Sequence, residues 1–234
     1  MSVLLLRLAG PLQAWGSAAR FTRRTTEPAP TKSGIVGLLA AAQGRPREAD
    51  LSDLAALRFG VRIDQRGTRI RDFQTAHHGD TDKAMPLSDR FYLADAVFVA
   101  AVEGEPALID ALHAAVLSPV YLPYLGRRSC PPAQRIDLRV RTDVGVSQAL
   151  CYEKWQASEW HKRRYTRHST VALDLLIETA TGQEPDLTLR DQPHSFDPRH
   201  RRYGLRGISS TTVDVPTRDP GQPDHDPIAA LEGA

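Results

Sequence analysis

The order in which hydrophobic periods follow one another constrains the fold of this chain more than any other feature. Residues 2–10, SVLLLRLAG, form an almost continuous apolar run broken by Gly10-Pro11, the pattern of a buried strand. A polar, basic loop leads to Lys32, and Ser33 stands where it can cap a helix through Gly34-Ile35 to Gln43, stopped by Gly44 and Pro46. A short helix is expected around Leu51–Leu57. FGVRIDQ and TRIRDFQTA flank a turn at Arg66-Gly67 and are expected to pair as a hairpin, followed by the projecting loop HHGDTDKAMPLSD. FYLADAVFVAAVEG reads as a strand, EPALIDALHAAVLSP as an amphipathic helix and RIDLRVRTD as a strand beside solvent-facing arginines. The order β-α-β-β-α-β is that of a ferredoxin-like α+β domain. FYLADAVFVAAV can also pair with TRIRDFQTA as an extended thumb.

This first unit spans residues 1–150. From Cys151 the chain is charged and aromatic, then strand-like at TVALDLLIE, so residues 151–213 are expected as a β-rich part packed on the same domain. Residues 214–234 hold Pro, Asp and Gly with little to bury and are expected to be a flexible tail. With 41% hydrophobic and 25% charged residues in 234, the chain can bury a substantial core. The apolar run at Val3–Leu6 is cut by Arg7, which predicts neither a signal peptide nor a membrane span. Two cysteines, Cys130 and Cys151, without a C-x-x-C motif fit a reducing, cytoplasmic setting.

Net charge is +2, but residues 214–234 carry five acids against one arginine, which leaves +6 on residues 1–213. Four of the 30 basic residues are lysine, so 26 are arginine, the side chain that grips phosphate bidentately and stacks on bases. A GC-rich genome produces the same ratio, so the clusters say more than the total. They lie at Arg20/Arg23/Arg24, Arg127/Arg128, Arg163/Arg164/Arg167 and Arg199/Arg201/Arg202.

PAPTKSGIVGLLAAAQGR is not a nucleotide-binding P-loop, because Thr26 and Thr31 occupy its glycine positions. Lys32 at a helix start, beside Ser33 and after a basic loop, is instead expected to form an anion site. The loop YLPYLGRRSCPP offers Arg127 and Arg128 for phosphates and Tyr121 or Tyr124 for stacking a base; Tyr121 fits core packing equally well. His77-His78 with Asp80 and Asp82 lacks a spaced third ligand, and no metal is expected. His161, Lys162 and Tyr165 are the residue types of a metal-free ribonuclease, with His as base and Lys or Tyr steadying the developing charge; a charged surface segment has the same letters.

LRLAGPLQAWG, PTKSGIVGLLAAAQGR, RDFQTAHHG and YLPYLGRRSCPP, in this order and spacing, resemble the CasD family, the type I-E RAMP-superfamily subunits of the CRISPR surveillance complex Cascade. The resemblance covers residues 1 to about 210. It implies an RRM-related, ferredoxin-like domain with a β-hairpin thumb at about residues 71–92. It also implies a subunit at one end of the backbone filament that holds the 5′ handle of the CRISPR RNA and contacts the backbone and large subunits, meeting target DNA only through the guide duplex. Matching motif positions mark Gln13, Trp15, Lys32, Ser33, Arg127, Arg128 and Ser129 for handle binding, with Tyr124 from the same loop. Arg20, Arg23 and Arg24 join them by charge. Type I-E members look non-catalytic, so no catalytic residue and no cofactor are expected. The alternative is an endoribonuclease that cuts repeat RNA through His161, Lys162 and Tyr165. An RNP aromatic pair is missing from LLLRL and RIDLRV, which points to binding by loops instead of the sheet face.

Overall fold

The computed structural model describes residues 1–17 and 23–217. Strand β1 (Ser2–Ala9) is followed by two short strands, β2 (Leu12–Gln13) and β3 (Arg23–Arg24), then helices α1 (Lys32–Ala42) and α2 (Ser52–Ala55) and strand β4 (Arg58–Gln65). Strands β5 (Thr68–Gln74), β6 (Ser88–Ala94) and β7 (Val97–Gly104), helix α3 (Pro106–Leu117) and strand β8 (Asp137–Thr142) come next. Helices α4 (Val146–Tyr152) and α5 (Glu159–Lys162), a 3-10 turn at Arg163–Tyr165, and strands β9 (Thr170–Glu178), β10 (Leu187–Ser195) and β11 (Arg202–Pro216) complete the described chain. The α+β fold is ferredoxin-like: neighbours β8-β1-β7-β4 form its four-stranded order, and β9, β11 and β10 extend the same sheet beyond β4 to seven strands.

β1 is buried on both faces, as the apolar run Val3–Leu6 requires, with Arg7 half-buried. Leu4, Leu6 and Leu8 meet α1 and α3 on one side, while Val3 and Leu5 meet α4 on the other. Neither face of the central sheet is left for RNA.

The expected pairing of FGVRIDQ with TRIRDFQ does not occur. β4 is buried along all but its first residue and pairs on both edges, with β7 and with β9. β5, which is exposed or half-buried throughout, pairs with β6 as the thumb, and a bridge between His77 and Ala84 carries the hairpin outward. Asp95, at φ 57°, turns the chain from β6 into β7, so FYLADAVFVAAVEG is two strands in two sheets. Asp214 and Val215, expected outside the folded part, are instead in β11, paired with Ala172 and Val171. Residues 218–234 lie outside the described residues.

Arg62 and Asp64, both fully buried on the α4 side, hold the second half of the chain to the sheet. The guanidinium bonds the Asp64 carboxylate at 2.7 and 2.9 Å and donates to the carbonyls of Leu150, Glu153 and Lys154 at 2.6, 2.6 and 2.8 Å. Asp64 also accepts the Gln156 N–H at 2.6 Å. Every polar atom of the pair is thus satisfied, the condition under which a buried ion pair is tolerated. Arg62→Met, which strands Asp64, should destabilise the protein by about 3–5 kcal/mol in urea unfolding. A loss below about 1 kcal/mol would show that water or repacking replaces the guanidinium.

Candidate nucleic-acid interface

A groove of about 1050 Å³ opens on the α1 side of the sheet. Its floor is the small-residue face of α1, with Ser33, Gly34, Gly37 and Ala41. One wall is the loop of Tyr121, Tyr124 and Arg128; the other is Phe196 and Arg201 from the connection between β10 and β11 with Tyr203 at the start of β11, and Arg45 and Arg47 also line the groove.

The tyrosine-arginine loop is built on buried apolar anchors. Leu125 and Cys130 are fully buried, the Leu125 N–H donates to the Cys130 carbonyl at 2.7 Å, and the Ala14 N–H donates to the Leu125 carbonyl at 3.0 Å. Gly126 sits at φ +84°, and a Cβ there would lie 1.8 Å from the Ala14 carbonyl oxygen, so only glycine fits. Burial pushes the Cys130 thiol up, against Ser129 and Arg127, which leaves it neutral; Cys130 and Cys151 are both free.

The wall and loop supply rings and charge together. Tyr121 is 57% exposed and faces the groove instead of the core, while Tyr124 is half-buried. Phe196 and Tyr203 lie across from them with ring centroids 6.2 Å apart. Burial pushes the Tyr203 phenol up, with Arg201 opposing, so it remains a protonated donor. Arg45 is held by Asp53, but among the described residues Arg47, Arg128 and Arg201 have no acidic partner within ion-pair distance. Unpaired arginines beside partly exposed rings suit phosphates and unstacked bases.

A model of the family described as CRISPR-associated protein (Cas_Cas5) matches residues 3–208. The chain belongs to that family. The CRISPR system Cascade subunit CasD of Escherichia coli (strain K12) is 36% identical to it over 220 residues, covering 85% of this chain and 91% of the relative. A structure described as a crystal structure of Cas protein aligns with a TM-score of 0.71 and 37% identity, over 92% of this chain and 97% of its own. A chain of a CRISPR RNA-guided surveillance complex aligns with a TM-score of 0.75 and 34% identity, over 94% and 95%.

In this Cas_Cas5 chain the motif residues divide between surface and framework. Gln13 is fully buried: its amide donates to the carbonyls of Leu8 and Ala96 at 3.0 and 2.8 Å and accepts from Trp15 Nε1 at 3.1 Å. Trp15, also fully buried, lies under Gly34. Both therefore shape the groove from below, a correction to their expected place on its surface. Lys32 is corrected too. Its ammonium is buried against Glu178 at 3.1 Å, and its N–H donates to Asp191 at 2.7 Å, so a carboxylate already fills the helix-start anion position. Burial pulls the Lys32 ammonium below its ordinary value, opposed chiefly by Glu178. The helix cap is Thr31, whose hydroxyl accepts the Gly34 N–H at 3.2 Å, and Ser33 faces the groove.

Arg127 is a clamp. Its guanidinium donates to the carbonyls of Phe91 and Arg24 at 3.1 and 2.8 Å and lies 4.8 Å from the Tyr92 ring centroid, tying the loop to the thumb sheet. Arg128 and Ser129 are exposed. Arg23 and Arg24 are exposed on β3, away from the groove lining, and Arg20 lies outside the described residues. Among the groove residues, Phe196 and Tyr203 carry no motif of their own, and Arg201 belongs to the Arg199/Arg201/Arg202 cluster. SFDPRHRRYG carries the only signal, two aromatics bracketing that cluster.

The three residues of the ribonuclease alternative lie on the opposite side of the sheet. His161 and Tyr165 rings are 5.5 Å apart in a stack that reaches the buried Trp155, and Lys162 is paired with Glu159 at 3.1 Å. Among the described residues no cluster of His, Cys, Asp and Glu could hold a metal ion, and no helix is long and apolar enough to cross a membrane.

Two outcomes follow from this geometry. Gly126→Ala should lower the melting temperature by several degrees, since the loop must abandon its bond to Ala14; an unchanged melting curve would show that the loop relaxes freely. Burial, then the charge of Arg164, hold His161 below its ordinary value. The folded chain binds that proton less readily than the unfolded chain, so this contribution to stability is present above about pH 6.5 and is lost as pH falls through it. Between about pH 7.5 and 5.5 the melting temperature should fall more steeply in the native protein than in His161→Gln. Parallel slopes would place the titrating groups elsewhere.

Proposed function

We propose that this chain is a CRISPR RNA-binding subunit of a type I-E Cascade complex that holds the 5′ handle of the guide in the groove over α1. The observation that carries the reading is the combination of three unpaired arginines, Arg47, Arg128 and Arg201, with the rings of Tyr121, Tyr124, Phe196 and Tyr203 over a floor too small to block a base. Phosphate contacts position the strand, and stacked bases with the Tyr203 hydroxyl supply selectivity. Similarity to CasD and to a chain of a surveillance complex supports the same assignment.

The chain does no chemistry in this reading: it binds, without metal or cofactor, in the cytoplasm. Its thumb, which exposes Phe73, Met85 and Leu87, is the element that meets the neighbouring backbone subunit. The large subunit is the second partner, and target DNA is met only through the guide duplex, whose sequence is read by base pairing. The ribonuclease alternative gains no support from the groove, because its residues lie across the sheet from it.

The test is an incubation of the protein with end-labelled CRISPR repeat RNA in EDTA, run on native and denaturing gels beside a scrambled RNA. A retarded, intact repeat with weaker retention of the scramble is expected; a single cut would make the protein a processing enzyme. Replacing Arg128 and Arg201 with Ala should reduce the slope of log affinity against log salt by about 1.4, near 0.7 per phosphate on a single strand. An unchanged slope would remove the groove from the binding site.

A further inference from the structure

The face that carries α5 holds a second set of features that the groove does not use. Trp160 is 47% exposed, whereas Trp15 and Trp155 are 0% and 4% exposed. The Arg164 guanidinium lies 5.0 Å from the Trp160 ring centroid. Arg163 and Arg167 are exposed and, among the described residues, have no acidic partner; Glu159, the acid of this turn, is taken by Lys162. A chain of ring contacts runs from this face to the core: Trp160 packs edge-on against His161 at 5.6 Å, His161 lies 5.5 Å from Tyr165, and Tyr165 packs edge-on against Trp155 at 5.3 Å. Trp155 is fastened to the sheet by its indole N–H on the Asp64 carbonyl at 2.8 Å. Val171 and Leu173, which pack with Trp155, alternate with the same phase as Leu175 under α4, so this platform lies on the sheet face opposite the groove.

We propose that this face is a second binding surface for a single-stranded nucleic acid, with a base stacked on Trp160 and backbone phosphates on Arg163 and Arg167. A half-exposed ring, with a guanidinium near it and uncommitted arginines beside it, combines the two interactions that bind a strand without reading its sequence. A strand held in the groove does not cover it, so the two surfaces can be occupied together. The test must separate this ligand from the chain's own acids, since residues 219–234 contain four acids and neither Lys nor Arg. The described chain ends beside this face, where the Thr217 N–H donates to the Ser169 carbonyl at 3.0 Å.

The full chain should be titrated with thymidylate and uridylate strands of about 15 nucleotides while tryptophan fluorescence is read. Quenching that disappears in Trp160→Phe is expected, since the other two indoles are buried. Arg163→Ala with Arg167→Ala should weaken the quenching transition at least fivefold and lower its salt slope by about 1.4. Stronger binding by one strand type identifies DNA or RNA as the ligand; either supports the proposal. Quenching unchanged by the arginine replacements, or persisting without Trp160, overturns it. Quenching seen only after Asp219, Asp224, Asp226 and Glu232 are made amides overturns it for the native protein and assigns the face to the chain's own acidic segment. Because Trp160 is the reporter, failure of the groove to retain handle RNA would leave this result standing.

Discussion

Asp191 is the contact on which the groove depends. Its carboxylate accepts two bonds from the Arg206 guanidinium, at 2.9 and 2.7 Å, and the first N–H of α1 at 2.7 Å. One fully buried side chain thus joins β10, β11 and the start of the groove floor. Charge-assisted bonds in a dry site are strong, and each partner left alone there is costly. Lys32 repeats the arrangement one step away through Glu178, which also accepts the Phe59 N–H at 3.1 Å. The late strands are therefore an integral wall of the early domain.

That junction explains which parts of the site were legible in the sequence. The β-α-β-β-α-β order was readable because it depends on local periodicity, and it emerges as the central four strands with α1 and α3. The TKS motif was readable as something special but was assigned the wrong partner. A lysine and a free helix start attract an anion, and that anion is supplied by the protein itself, from a residue 159 positions away. Nothing local in PTKSGIVG distinguishes an internal carboxylate from an external phosphate. Gln13 and Trp15 illustrate the same limit: they form one buried hydrogen-bonded unit, and burial of a polar side chain depends on what the rest of the chain packs over it.

The thumb pairing of TRIRDFQ with FYLA, one of the two pairings the sequence allows, is the one that forms, and the hairpin with FGVRIDQ fails for a related reason. FGVRIDQ and TRIRDFQ are neighbours across a short turn, and neighbours usually pair. β4, however, carries Arg62 and Asp64 inward to hold the segment before α5, and it needs a paired strand on both edges. β9 takes one of those edges. That leaves TRIRDFQ to pair outward with β6, where cation-π contacts of Arg69 with Phe91 and Arg71 with Phe73, at 4.7 and 4.3 Å, cover part of its apolar surface. The thumb is thus a consequence of how the sheet is completed elsewhere.

The arginines gain meaning from the same separation of roles. Arg62, Arg127 and Arg206 bind carbonyls or carboxylates of their own chain, and lysine could not replace them, because each uses several N–H groups of one planar fork at once. An arginine-rich composition therefore overstates the surface offered to a nucleic acid. Placement within clusters is more informative: in Arg127/Arg128 the first arginine is a clamp and the second is free, and in Arg199/Arg201/Arg202 the middle one faces the groove. Function in this fold follows from which guanidinium groups the folded chain leaves without a partner, and that is a property of long-range packing.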